Sequence, residues 1–478
     1  MKKSIYILLV FVLVMGLSIV GHQTPALAQD AGQVSGDIIS LGKVLFFDVN
    51  LSVNGTQSCA TCHDPEAGFT SPDSLVNASG VIFPGALEDR FGNRKPPTSA
   101  YAGDSPELYY DEAIGKWVGG MFLDGRATGW TLHDPLAEQA GGPFLNPLEM
   151  GMPDTRQVCL RVAHSTYADL FKQVWGLDSL DCVKNASGVY ERIARSIAAY
   201  EESSEVNSFT SKFDLFWDNA KALGKDVTKI KCGGGMGGGG MMMGCPGGGM
   251  DPNRWTMFRN MGLSDMELQG LAAFNDPNRA NCASCHSLTP GSAGYPLFTN
   301  FRYENIGVPK NPENPFYLMP KKWNPDGTNW VDYGLGGYLM SSGNPAEVYE
   351  TELGKFRVPT LRNVDLRPTP DFVKAYGHNG YFKSLDDLIM FYAWRGLTMN
   401  GGLGLGGTGL DCGMMGGGGM GGGGMGGGGM DNMMMCDPNL FPQPEVNQNL
   451  TPMNHFNMMD QAKIVSFLKT LSDGHFQR

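Results

Sequence analysis

The chain has 478 residues, long enough for two domains with cores of their own. With 48 acidic against 36 basic residues and a formal charge of −12, it is a poor partner for nucleic acid or anionic lipid. Beyond the N-terminal run considered next, no stretch of the sequence is long and apolar enough to cross a membrane.

Lys2 and Lys3 precede an apolar run from Ile5 to Val20 and a small-residue site at Ala26-Leu27-Ala28, the pattern of a secretory signal peptide over residues 1–28. The run is short for a transmembrane span, so no membrane anchor is expected, an uncleaved leader being the alternative. Residues 29–231 and 251–478 then read as two domains. The first carries Cys59-Ala60-Thr61-Cys62-His63 and the second Cys282-Ala283-Ser284-Cys285-His286.

In each string two thiols are spaced to add across the vinyl groups of a haem, and the adjacent imidazole becomes the proximal iron ligand. Two such strings arise by chance with a frequency on the order of 10⁻⁵ at this cysteine and histidine content. A redox C-x-x-C or half of a zinc site is the bland alternative. The prediction is two covalent haem c groups, attached through Cys59, Cys62, Cys282 and Cys285 with His63 and His286 on iron. Such haems are attached outside the cytoplasmic membrane, which agrees with the leader and points to the periplasm.

Helical signals recur around both strings. Val189, Ile193, Ile197 and Tyr200 form an amphipathic stripe. Ser264-Asp265-Met266-Glu267 is a capping box that Leu263 and Leu268 can staple, and Leu268, Leu271 and Phe274 continue one apolar face. A third stripe runs through Ile464, Phe467, Leu468 and Leu471. Alternating strand patterns are scarce, so the fold class predicted is all-α with long irregular loops.

Residues 232–250 and 412–436 are almost entirely glycine and methionine. Glycine at this density buries too little apolar surface to offset its ordering entropy, so both are predicted to be mobile surface loops, the second an insertion in the C-terminal domain. Cys232 and Cys245 bracket the first, Cys412 and Cys436 the second. With Cys159 and Cys182 these make six cysteines outside the haem strings, an even number that suggests three disulfides in an exported chain. Fifteen connectivities are open; local pairing is preferred, and cross-linking of the two loops is its rival. Met241, Met242 and Met243 beside Cys245, and Met433, Met434 and Met435 beside Cys436, are soft donors suited to Cu(I), against the alternative of an inert insertion.

Four further segments carry a family resemblance: Leu41 to Asp48, Leu123-Asp124-Gly125-Arg126-Ala127, Asn146-Pro147-Leu148-Glu149-Met150, and Phe356 to Val364. In this order around the two haem strings, over roughly residues 38 to 473, they resemble the bacterial di-haem cytochrome c peroxidase and MauG family. The resemblance implies two cytochrome-c-like helical domains whose haems face a shared interface. In its peroxidases a histidine after the first haem often closes that iron; here none lies between His63 and His133, so the first haem is expected to be open. By the same resemblance Glu149 is the acid-base group that moves a proton during O–O cleavage, with Gln139 and Pro143 shaping its pocket. Arg126 is assigned to the domain interface or a haem propionate, and His133 and His164 to the surface.

The sixth ligand of the second haem is a methionine in many of these peroxidases and a tyrosine in MauG, and the position falls on Tyr392. Leu385, Leu388 and Tyr392 share one helical face. A core tyrosine bonded to backbone is the alternative reading, and Met390 and Met399 are the alternative ligands. The family's tryptophan between the haems is Leu123 here, so either Trp117 or Trp130 substitutes from a nearby position or electron transfer is direct and slower. Its interdomain calcium is left open, because Lys95 stands at the asparagine position and Arg367 to Gly377 holds an insertion. His378 is read as structural.

The function expected is a periplasmic di-haem peroxidase that reduces hydrogen peroxide to water with electrons from a small redox protein, a cytochrome c or a cupredoxin. The runner-up is a MauG-like oxidase that modifies a protein side chain. A third reading is a non-catalytic electron-transfer or copper-binding cytochrome. Whether the chain forms a homodimer is left open.

Overall fold

The computed structural model describes residues 37–233, 245, 251–399 and 440–478. The predicted leader, the Cys412–Cys436 pair and the methionines proposed as Cu(I) donors lie outside these residues.

The main helices are α1 (37–46), α2 (Pro135–Leu145), α3 (Thr155–Ala163), α4 (Ala186–Glu201), α5 (Lys212–Ala222), α6 (Asp265–Asn275), α7 (Leu385–Met399) and α8 (Met458–Leu468). Among the described residues, paired strands are confined to two short antiparallel ribbons, β1 (Tyr109–Asp111) with β2 (Lys116–Val118) and β3 (Tyr303–Glu304) with β4 (Phe356–Arg357). The protein is therefore helical with little strand, as its sequence predicts.

Local chemistry sets the helix ends. Asp134 caps α2 by accepting from the Ala137 amide at 3.0 Å, with Pro135 at the first helical position, where its missing N–H costs nothing. The predicted capping box starts α6: the Ser264 amide donates to Glu267 Oε2 at 2.7 Å, and the Glu267 amide returns to Ser264 Oγ at 3.4 Å. Each predicted stripe is a buried face. Val189, Ile193, Ile197 and Tyr200 on α4 lie in the core, as do Ile464, Phe467 and Leu468 on α8, each side chain contributing about 1.5–3 kcal/mol by leaving water.

Buried apolar side chains gather in two main clusters. One joins α1, α3 and α4; the other joins α5, α6, α7 and α8. Phe213, Phe216, Val227 and Ile230 belong to the second cluster although they precede residue 232. In both clusters the helix ahead of the haem string crosses the last helix through a glycine. A Cβ on Gly42 would sit 1.8 Å from the Ser196 carbonyl oxygen, and one on Gly270 would sit 2.0 Å from that of Lys463. No side chain fits at either crossing.

Disulfides join Cys159 to Cys182 and Cys232 to Cys245, with Cα separations of 5.6 and 5.0 Å. The local pairing of Cys232 excludes the rival cross-link between the two Gly/Met loops.

Candidate functional site

The two haem strings are built alike. In the first, His63 Nδ1 lies 3.2 Å from the Phe69 carbonyl oxygen; in the second, His286 Nδ1 lies 2.9 Å from that of Phe298. A carbonyl only accepts, so Nδ1 carries the proton and Nε2 keeps its lone pair for a metal. The phenylalanines sit at φ 57° and 55°, which turns each carbonyl back toward its imidazole. Threonine hydroxyls brace both turns: Thr98 Oγ1 donates to Gly68 O at 2.8 Å and Thr360 Oγ1 to Leu297 O at 2.6 Å. Burial lowers the pKa of both histidines, that of His63 to about 4, which keeps the ligand form at neutral pH.

Burial also pushes the thiols up, Cys62 and Cys282 to about 12, with Cys59 and Cys285 raised as well. Neutral sulfur is thus favoured over thiolate. Among the described residues no group of three or more His, Cys, Asp or Glu is arranged to hold a metal ion. Without further protein ligands gathered beside either string, the described residues do not make up a four-ligand zinc site.

A cavity of about 310 Å³ is lined by Cys282, Cys285, His286, Leu123, Tyr392 and Met453. Buried guanidinium groups edge it with unmet donors, Arg357 Nε and Arg362 Nη2. A largely apolar group bearing carboxylates, such as a haem with its propionates, matches these walls. Tyr392 reaches this cavity from α7, and burial raises its hydroxyl pKa, with a further push from Cys282 and Cys285. Among the described residues nothing accepts a hydrogen bond from that hydroxyl. Met390 packs into the second core instead, and Met399 lies at the end of α7. Met453 is the methionine on the cavity wall, and local sequence offered no signal for it. Leu123 lines the cavity, whereas Trp117 faces Tyr110 across the β1–β2 ribbon and Trp130, half exposed, donates from Nε1 to Leu108 O at 2.7 Å. Neither tryptophan lines the cavity.

The residues expected above the first haem come from α2 and the turn behind it. Gln139 is buried with no partner for Oε1 among the described residues, and Pro143 lies one turn further along the same face. Pro143 O accepts from the amides of Asn146 at 3.2 Å and Met150 at 3.3 Å, folding the turn that carries Glu149 back against the helix. Glu149 is close enough to the first string to raise the pKa of both Cys59 and Cys62. Burial raises its own pKa, opposed by the charge of Arg126 and a hydrogen bond from Asn146. Arg126 pairs with Asp124 at 2.9 Å and lies 3.6 Å above the Phe122 ring. His133 and His164 are at the surface as predicted, beside Glu107 and on the Leu160 carbonyl. His378 stacks on Phe356 at 3.8 Å and lines the cavity.

Glu201 escaped the sequence reading. It ends α4 at 5% exposure, its Oε2 has no partner among the described residues, and burial lifts its pKa to about 8 against a hydrogen bond from Ser99. Its charge also raises Cys59, so a second proton-holding carboxyl lies beside the first haem string.

Residues 37–222 match the family model for di-haem cytochrome c peroxidases. The chain is 32% identical over 367 residues to the methylamine utilization protein MauG of Paracoccus denitrificans, covering 76% of each protein. It is 25% identical over 359 residues to the cytochrome c551 peroxidase of Nitrosomonas europaea, covering 74% of this chain and 72% of that one. Among solved structures it resembles the diheme peroxidase BthA of Burkholderia thailandensis with a TM-score of 0.62 at 25% identity, over 92% of this chain and 86% of the other.

Proposed function

The chain belongs to the bacterial di-haem cytochrome c peroxidase and MauG family, and from that premise we propose that it is a periplasmic peroxidase reducing hydrogen peroxide to water. Members of this family are cytochrome c peroxidases and di-haem oxidoreductases, so the chain is an oxidoreductase with two haem c groups. The two buried clusters, each with its own haem string, support two haem domains, residues 212–230 going with the second. The disulfides support an oxidising compartment. By analogy with the named peroxidases, the electrons come from a small redox protein, a cytochrome c or a cupredoxin.

Haem, once attached, supplies an iron that binds peroxide at the first site and an iron that passes electrons at the second. Each peroxide consumes two electrons and two protons and leaves as two waters. Glu149 takes the proton from the inner oxygen and returns it to the outer one, so that water rather than hydroxide departs. Burial keeps a proton on this carboxyl to higher pH than on a free glutamate, while Arg126 and Asn146 hold the anion within reach. Gln139, with Oε1 unpaired, accepts a hydrogen bond from the incoming peroxide, and Pro143 closes the wall.

The observation that carries this reading is the half-buried Glu149 beside Cys59 and Cys62, with its carboxyl pKa raised. The test is to mix the fully oxidised protein with peroxide in a stopped-flow spectrometer, without a reductant. Reaction of the oxidised form supports an open first site; inertness until one electron is added means another residue closes it. The MauG-like reading is favoured by the Tyr392 hydroxyl, which meets no acceptor among the described residues of the cavity beside His286. Steady turnover of reduced cytochrome c or cupredoxin favours the peroxidase, and reaction with peroxide but no such turnover favours the oxidase. A mere electron carrier gives neither.

A further inference from the structure

Lys374 has its ammonium in the interior, at 5% exposure. Nζ donates to three main-chain carbonyls, Ala67 O at 2.8 Å, Asn363 O at 2.9 Å and Leu366 O at 2.8 Å. An ammonium has three N–H donors, and all three are used here. A neutral amine has two, and would turn its lone pair against the third carbonyl oxygen. Burial, the nearby Lys95 and Arg367 work against the charge, Asp365 works for it, as do the carbonyl dipoles, and three acceptors around one nitrogen decide for the ammonium.

The three carbonyls come from both halves of the protein. Ala67 lies in the loop between His63 and Phe69, whose carbonyl holds the first imidazole. Asn363 and Leu366 follow Thr360, whose hydroxyl braces the turn that holds the second. One side chain therefore ties the two histidine cradles together. Gly68 makes the approach feasible: at φ +72°, a Cβ there would lie 3.0 Å from Asn363 Cβ, 3.2 Å from its carbonyl oxygen and 3.3 Å from Lys374 Nζ. Lys95 brings a second ammonium nearby, donating to Pro96 O at 3.1 Å and Thr70 Oγ1 at 3.2 Å, while its amide bonds His378 O at 3.0 Å.

Converging carbonyl oxygens at an interface are the ligands a calcium ion takes, six to eight of them at about 2.3–2.6 Å. Here they are already spent on nitrogen, and a divalent ion would have to enter beside two positive charges. The residues therefore do not fit the interdomain calcium that the family resemblance raised. We propose that Lys374, supported by Lys95, is a built-in cation that takes the place of a resident metal between the haem halves, making their union independent of calcium.

The test is elemental analysis of the holoprotein after dialysis against metal-free buffer, followed by EGTA titration monitored by haem absorption and thermal unfolding. Calcium far below one equivalent per chain, with no response to EGTA, is expected. One retained calcium per chain, or a haem spectrum that shifts with EGTA, overturns the proposal. The double variant K95N/K374A should free the carbonyl cage and acquire a calcium-dependent rise in Tm that the parent lacks. A folded double variant indifferent to calcium also overturns it; if that variant does not fold, the parent's calcium content and EGTA response decide alone.

Discussion

Arg362 and Asp214 form an ion pair in which neither side chain is exposed, Arg362 Nη1 lying 2.7 and 2.9 Å from the two carboxylate oxygens. The carboxylate also accepts from Ser211 N at 2.9 Å and Oγ at 2.7 Å, and the guanidinium donates from Nε to Pro296 O at 2.8 Å. A charge stripped of its partner in such a place costs more than the pair itself contributes. Arg362→Leu should therefore destabilise the holoprotein by about 3–5 kcal/mol, measured by urea unfolding. A loss near zero would mean that water reaches Asp214.

Glu149→Gln should slow the reaction of the oxidised protein with peroxide by about 10²–10⁴-fold, the usual scale for a general acid-base group. In the parent the rate should fall as pH drops through the raised pKa of Glu149, since a protonated carboxyl cannot accept the peroxide proton. That acidic limb should vanish in the variant. A parent and variant with the same rate remove Glu149 from the chemistry.

Tyr392→Phe tests the second site separately. The absorption spectrum and potential of the His286 haem should change while intact mass still shows two attached haems. If both are unchanged, the hydroxyl does not reach the iron, and Met453→Leu becomes the next variant to measure.

Glu201 should leave a signature in stability against pH. Its pKa rises from 4.5 in the unfolded chain to about 8 in the fold, so its contribution is fully present below about 4.5 and is lost as pH climbs to about 8. At about 1.4 kcal/mol per pH unit this amounts to a few kcal/mol. Glu201→Gln should flatten the decline between those limits. Parallel curves for parent and variant would show that the carboxyl is already ionised in the fold.

The residues that announced themselves in the sequence do their work locally. The haem strings, the Ser264–Glu267 box and the α4 stripe depend on neighbours within one turn, so spacing alone reveals them. The carbonyls of Phe69 and Phe298 belong to the backbone, and nothing in a side chain marks which carbonyl an imidazole will find. Glu201 stands beside Glu202 and near Glu205 and reads as one of a solvated run, because burial at a helix end is decided by what packs over it. Trp117 and Trp130 are near Leu123 in sequence, but the β1–β2 ribbon and the turn before α2 carry them off the cavity wall. Assignment of α5 to the second core was hidden for the same reason, its partners Phe298, Arg362 and Phe467 lying far along the chain.

The matched histidine cradles have a consequence for tuning. An acceptor supplied by main chain does not depend on which side chain its residue carries, so the carbonyls of Phe69 and Phe298 hold both imidazoles in the same tautomer. On the proposed function, the division of labour between the two irons then falls to residues other than these cradles, Gln139 and Glu149 at the first string and Tyr392 and Met453 at the second. Two redox centres with a common grip and separate faces can be retuned one at a time, and a change on one face need leave the other centre's potential where it was.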